Sequence, residues 1–178
     1  MKAIETKLKG CFILEPTVFE DERGYFLESF NQNKFEELIN SKIQFVQDNQ
    51  SKSSYGVLRG LHFQKGEHAQ AKLVRVLSGE VLDVAVDLRK NSSTYGQYES
   101  IVLSEENKKQ FFVPRGFAHG FVVLSETAEF FYKCDNFYNK SSEGGILYND
   151  SQLSIDWIVP NEKINISSKD EVLPNFNQ

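Results

Sequence analysis

Residues 72–88, KLVRVLSGEVLDVAVDL, alternate apolar and polar positions on either side of Ser78-Gly79-Glu80. Beyond that break Leu82, Val84, Val86 and Leu88 fall on one face, and Val81, Asp83, Ala85 and Asp87 on the other. A period of two around a glycine turn predicts a β-hairpin with a strongly apolar face. Similar runs, rich in aromatic and β-branched residues, predict strands over 12–19, 25–30, 98–103, 110–113, 120–124, 128–134 and 153–157. The segment 48–64, DNQSKSSYGVLRGLHFQ, reads as strand and turn with an unusual density of polar groups. Only 33–40, with Phe35, Leu38 and Ile39 on one side, has the period of an amphipathic helix.

The architecture is therefore expected to be mostly β. Many short antiparallel strands build a sandwich or a barrel, a jelly roll being one way to make both, and the strand pattern does not choose between them. No internal repeat or low-complexity linker interrupts the chain, and the polar NKSSEGG at 139–145 reads as a loop. Residues 1–178 are expected to form one domain, long enough to bury a core without disulfides or metal. The net charge of −5 argues against nonspecific binding to nucleic acid or acidic membranes, so an anionic ligand needs a local cationic pocket. Cys11 and Cys134 lie in apolar stretches and read as small buried thiols of a reducing compartment, the cytoplasm. The opening MKAIETKLKG has no apolar run of a secretion signal, and no stretch nears the roughly 20 apolar residues of a membrane span; a soluble protein is expected.

Two of three histidines, His62 in RGLH and His119 in PRGFAH, follow glycines that let backbone bend or pack closely. Histidine takes and returns a proton near neutral pH. On a strand His62 points away from Leu61 and Phe63, and with Arg59 three residues before it and Gln47 and Asn49 a little further back, polar groups converge where a purely structural strand needs none. A base histidine works best with a carboxylate on its other ring nitrogen. Asp170 in SSKDE is one such acid, with Asp83 and Asp87 as rivals. Tyr132 in EFFYKCD shares a face with Phe130 and Cys134, where its phenol can serve as a general acid shielded from water. Lys72, Arg59, Arg23, Arg115 and Lys169 sit beside apolar or glycine-rich sequence and together could hold a pyrophosphate. PRGFAH has the PxGxxH form of the second cupin motif, but His62-Phe63-Gln64 stands where the first motif carries an HxH pair. A three-histidine metal cage is thus not expected.

Taken together these strings resemble the dTDP-4-dehydrorhamnose 3,5-epimerase family. The similarity runs through FEDERGYFLESF at 19–30, VQDNQSKSSYGVLRGLHFQ at 46–64 and QAKLVRVLSGEVLDVAVDLRKNSSTYGQY at 70–98. It continues through FFVPRGFAHGFVVLSETAEFFYKCDNFY at 111–138, EGGILYND at 143–150 and SSKD at 167–170. The resemblance implies a cupin-type jelly-roll barrel of antiparallel strands with a few short helices. It implies inversion of dTDP-4-dehydro-6-deoxy-D-glucose at carbons 3 and 5 through an enolate, without a cofactor. His62 would then be the base, Asp170 its carboxylate partner, Tyr132 the acid and Lys72 the enolate's cation. Ligand contacts map to Arg23, Glu28, Gln47, Asn49, Arg59, His119, Glu143 and Lys169, with Phe26 and Tyr138 placed to stack on thymine. A homodimer is implied in which N-terminal strands cross over, so that Arg23, Phe26 and Glu28 serve the neighbouring site. The rivals are a single-centre epimerase or ketoisomerase of a related dTDP-4-keto sugar, a non-catalytic sugar-nucleotide-binding barrel, and an iron-dependent cupin dioxygenase.

Overall fold

A computed structural model describes residues 1–177. Its strands are β1 Lys2–Glu5, β2 Phe12–Glu15, β3 Val18–Asp21, β4 Gly24–Leu27, β5 Gln47–Ser54, β6 Val57–Gln64 and β7 Lys72–Ser78. They continue as β8 Glu80–Asp87, β9 Tyr98–Ser104, β10 Gln110–Val113, β11 Phe117–Val123, β12 Thr127–Cys134, β13 Glu143–Gly145 and β14 Asn165–Ile166. One sheet runs β1-β2-β10-β7-β12-β5, and a second runs β13-β6-β11-β8-β9 with β14 added beside β6. All pairings are antiparallel except the one between β14 and β6.

The two sheets face each other across a core of Val74, Val76, Val81, Ala85, Phe111, Phe121 and Phe130. The outer face of the second sheet is covered by Ile146, Leu153, Trp157, Val159 and Phe176 from the C-terminal stretch. The outer face of the first is covered by helix α1, Gln32–Ile39, through Phe35 and Ile39. The mostly-β, jelly-roll expectation is borne out, as is the helix. Asn31 caps the helix start by accepting from the Lys34 N–H, and Asn40 ends it in the left-handed region at φ 49°.

The hairpin expected over 72–88 is not one. β7 pairs with β10 and β12, whereas β8 pairs with β9 and β11, so the chain steps from one sheet to the other at Gly79. Gly79 has φ +79°, and a Cβ there would lie 2.1 Å from the Thr127 carbonyl oxygen. An apolar face on a hairpin leaves its other face wet. Here β8 is buried on both, Val81 and Ala85 against the inner core and Leu82, Val84 and Val86 against the outer one. Gly56 makes the same step between β5 and β6.

The strand expected over 12–19 breaks at Pro16, which has no N–H to donate to a ladder, into β2 and β3. β3 and β4 form a separate two-stranded ribbon. The strand expected over 153–157 is also corrected. Leu153 and Trp157 are buried while Ser154 and Asp156 are exposed, but the segment pairs with no sheet. Its start is held by Asp150, which accepts from the N–H groups of Gln152 and Leu153, and its end by the Trp157 indole, whose Nε1 donates to the Tyr148 carbonyl. The 139–145 loop contains a short strand, β13, paired with β6.

Candidate active site

A cavity of about 570 Å³ opens between the sheets, lined by Asn49, Arg59, His62, Lys72, His119, Phe121, Phe130, Tyr132, Lys169 and Asp170 among others. A second, of about 280 Å³, shares Asn49, His62, Lys72 and Tyr132 with it and adds Gln47, Tyr138 and Glu143. Side chains from both sheets and from the C-terminal turn therefore converge on one trough, which is how an antiparallel barrel turns residues distant in sequence into one site.

β6 supplies Arg59 and His62. Three residues apart on a regular strand they would face opposite sides. Between them Gly60 has φ +141°, and the pairing of β6 with β11 shifts register at this point, so both reach the cavity. A Cβ on Gly60 would lie 2.6 Å from Gly120 Cα, so the two strands approach this closely only with glycine on each. That approach sets His62 directly across from His119. Leu61 packs in the outer core, with Phe63 against it, and His62 faces inward, as strand alternation anticipated.

His62 Nε2 lies 2.7 Å from Asp170 Oδ1, although 108 residues of chain separate them. Asp170 is 4% exposed, and its other oxygen accepts from the Gly60 N–H at 3.4 Å. A carboxylate accepts, so Nε2 carries the proton and Nδ1 keeps the lone pair. The rival acids are otherwise engaged. Asp83, on β8, bonds His119 Nε2 at 2.9 and 3.0 Å. Asp87 is held by Arg89, Ser92 and Thr94 at 2.6–3.0 Å. Two histidine–carboxylate pairs thus stand side by side, one at the cavity wall and one deeper.

Burial pushes His119 below the usual histidine range against the pull of Asp83, which leaves a neutral imidazole. Burial likewise lowers the Lys72 ammonium, with Cys134 and Asp83 acting to keep its proton. The Tyr132 phenol is raised by burial and by Cys134, against Arg59, so it is protonated at neutral pH. Lys72 Nζ stands 5.7 Å from the Tyr132 ring centroid. Phe121 and Phe130, their centroids 4.1 Å apart, make the apolar floor. At the rim Tyr138 donates its hydroxyl to Glu143 at 3.3 Å, and Lys169 donates to the same carboxylate at 2.6 Å. Gln47 donates to Asn49 at 3.0 Å.

Arg23, Phe26 and Glu28 are not brought to this cavity. They lie on and beside the β3–β4 ribbon, where Arg23 pairs with Asp21, Glu28 with Lys34, and Phe26 is 69% exposed. Arg115 pairs with Asp135 and lies outside the trough as well. Sequence reasoning had no place for the floor residue Phe121 or for Ser167 of the C-terminal turn, and it weighed Asp83 only as a partner for His62. The β8–β11 pairing that takes Asp83 to His119 leaves no mark on either strand alone. Among the described residues no three His, Cys, Asp or Glu side chains gather as a metal site would require.

The family model for dTDP-4-dehydrorhamnose 3,5-epimerase matches residues 5–178. The chain belongs to that family. It is 57% identical to the dTDP-4-dehydrorhamnose 3,5-epimerase of Salmonella typhimurium, with 100% of this chain and 97% of the relative covered. The crystal structure of the enzyme of that name from Elizabethkingia anophelis superposes with a TM-score of 0.96 at 66% identity, covering 99% of this chain and 96% of the other. A Legionella pneumophila dTDP-6-deoxy-D-glucose-3,5-epimerase, solved in complex with dTDP-4-keto-L-rhamnose, superposes at 0.91 with 47% identity and 99% of each chain covered. The fold likeness of these epimerases extends over the elements that carry the trough.

Proposed function

We propose that this protein converts dTDP-4-dehydro-6-deoxy-D-glucose into dTDP-4-dehydro-L-rhamnose, an isomerisation in deoxysugar biosynthesis, with His62 as the base and Tyr132 as the acid. Carbons 3 and 5 both flank the carbon-4 ketone, so loss of either proton gives an enolate with its charge on oxygen. His62 Nδ1 takes the proton from one face, and Asp170 at 2.7 Å holds the ring and balances the imidazolium that forms. Lys72 meets the enolate oxygen, where a cation in a site shielded from water is worth far more than in bulk solvent. Tyr132 delivers its proton to the opposite face. Each inversion leaves an imidazolium and a phenolate, and solvent resets both before the second centre turns over; the His62 side chain, 32% exposed, is open enough for that exchange.

The single observation that carries this reading is that the His62–Asp170 pair and the Tyr132 phenol line one cavity of about 570 Å³. Gln47, Asn49, Arg59, His119, Glu143 and Lys169 hold the nucleotide and sugar. Tyr138, half exposed at the rim, stacks on the thymine. Arg23, Phe26 and Glu28 act in the site of a second copy within a homodimer, which the exposed aromatics of their ribbon support. The two buried, unpaired cysteines support a reducing, cytoplasmic setting.

Incubation with the 4-keto sugar nucleotide in deuterated water tests the reaction. Deuterium is expected at both carbons. Label at one carbon alone would make the protein a single-centre epimerase, and label at neither would leave only a binding barrel.

A further inference from the structure

The third histidine takes no part in the chemistry above, yet both of its ring nitrogens are engaged. His68 Nε2 lies 3.0 Å from Asn139 Nδ2, and His68 Nδ1 lies 3.0 Å from Ser142 Oγ. The amide of Asn139 is oriented by its oxygen, which accepts from the N–H and the hydroxyl of Ser141 at 2.9 and 2.6 Å. Its NH₂ must therefore face His68, which makes Nε2 the acceptor and leaves Nδ1 to donate to Ser142. One imidazole thus ties together the two ends of the short turn Lys140–Ser142. That turn is what separates Tyr138 from Glu143.

Tyr138 and Phe137 are 51% and 65% exposed, so packing of their own side chains does little to place them. The backbone of this rim is fixed instead from its neighbours. Gln47 and Gln64 accept from the N–H groups of Tyr138 and Asn139 at 3.2 and 3.0 Å, and Lys65 N donates to the Ser142 carbonyl at 2.7 Å. His68 is the only side chain among these that grips the turn at two points. We infer that His68 is a positioning residue for nucleotide binding, setting the Tyr138–Glu143 rim so that the phenol ring and the carboxylate meet the ligand in place. The inference rests on the reading that this rim contacts the thymidine nucleotide.

The test compares kcat and KM for the 4-keto sugar nucleotide, and the Kd of dTDP, in the unaltered protein, His68→Leu and His68→Gln. Leucine fills similar space and makes neither bond; glutamine offers one acceptor and one donor. His68→Leu is expected to raise KM and the dTDP Kd about tenfold, equivalent to about 1.4 kcal/mol, with kcat within about twofold. His68→Gln is expected to restore both to within about threefold. Ser142→Ala, which removes one of the two bonds at a half-buried position, is expected to raise KM by a smaller factor and carries the test should His68→Leu fold poorly. Unchanged KM in both His68→Leu and Ser142→Ala, or a loss confined to kcat, would overturn the role. An unaltered protein that binds no dTDP would instead sink the functional reading beneath it.

Discussion

In the reaction proposed here His62 and Tyr132 divide the work between two faces of a sugar, and replacing each should fail in its own way. His62→Asn keeps the ring's approximate size but has no base, so kcat should fall by about 10²–10⁴-fold while dTDP affinity stays within about threefold. Tyr132→Phe keeps the base and loses the acid. His62 can still remove a proton and return a deuteron to the same face, so solvent label should enter substrate faster than inverted product appears. Isotope exchange and product formation that decline in step in Tyr132→Phe would contradict the assignment of the acid. Both residues were legible because strand alternation says which side they face: His62 opposite Leu61 and Phe63, Tyr132 beside Phe130. Asp170 was legible only through resemblance to a family. An acid in SSKDE looks like any solvated charge, and what buries it is a turn that meets β6 from 108 residues away.

Two elements that sequence misjudged, β8 and residues 153–157, share one cause, which is that periodicity reports burial and not pairing. β8 was recognised as a strand, but its partner was misassigned because a glycine between two apolar runs serves a hairpin and a step between sheets equally well. Residues 153–157 alternate like a strand because they cover a sheet face, not because they join one. The end of β8 also shows how an element is held at its rim. Asp87 is buried, and although burial alone would raise its pKa, hydrogen bonds from Arg89, Ser92 and Thr94 hold the carboxyl well below the usual carboxylate range. A depressed folded pKa contributes stability that is present above the unfolded value and lost as pH falls through the folded one. Asp87→Asn should therefore cost on the order of 2 kcal/mol at pH 7. The gap to the unaltered protein should narrow as pH drops below about 4. Chemical denaturation at pH 7 and pH 3 measures this, and an equal gap at both would show that the charge is not what stabilises the loop.

At the scale of the whole molecule one element is only partly covered. The β3–β4 ribbon pairs with neither main sheet, and Phe19, Tyr25 and Phe26 on it are 62%, 58% and 69% exposed. A lone two-stranded ribbon is marginal in water, and three large aromatics so close together need a surface to lie on. Within one chain their cover is partial, the Tyr25 ring lying 4.0 Å from the Lys108 ammonium and Tyr25 and Phe26 lining a groove beside Arg75 and Leu77, and Arg23 beside them satisfies its charge locally on Asp21. If the ribbon completes the trough of a second copy, as the homodimer reading holds, the sites are shared, and sharing can be separated from mere dimerisation. One subunit carries His62→Asn with its ribbon intact, the other carries Arg23→Ala and Phe26→Ala with its His62 intact, and the two are co-expressed. In a mixed dimer one site then combines an intact His62 with an intact ribbon from across the interface, and the other combines both defects. With random assembly half of the dimers are mixed, so about a quarter of the unaltered activity should return although either variant alone is nearly inactive. If each ribbon serves its own chain, every site in the mixed dimer carries one defect or the other, and mixing restores nothing.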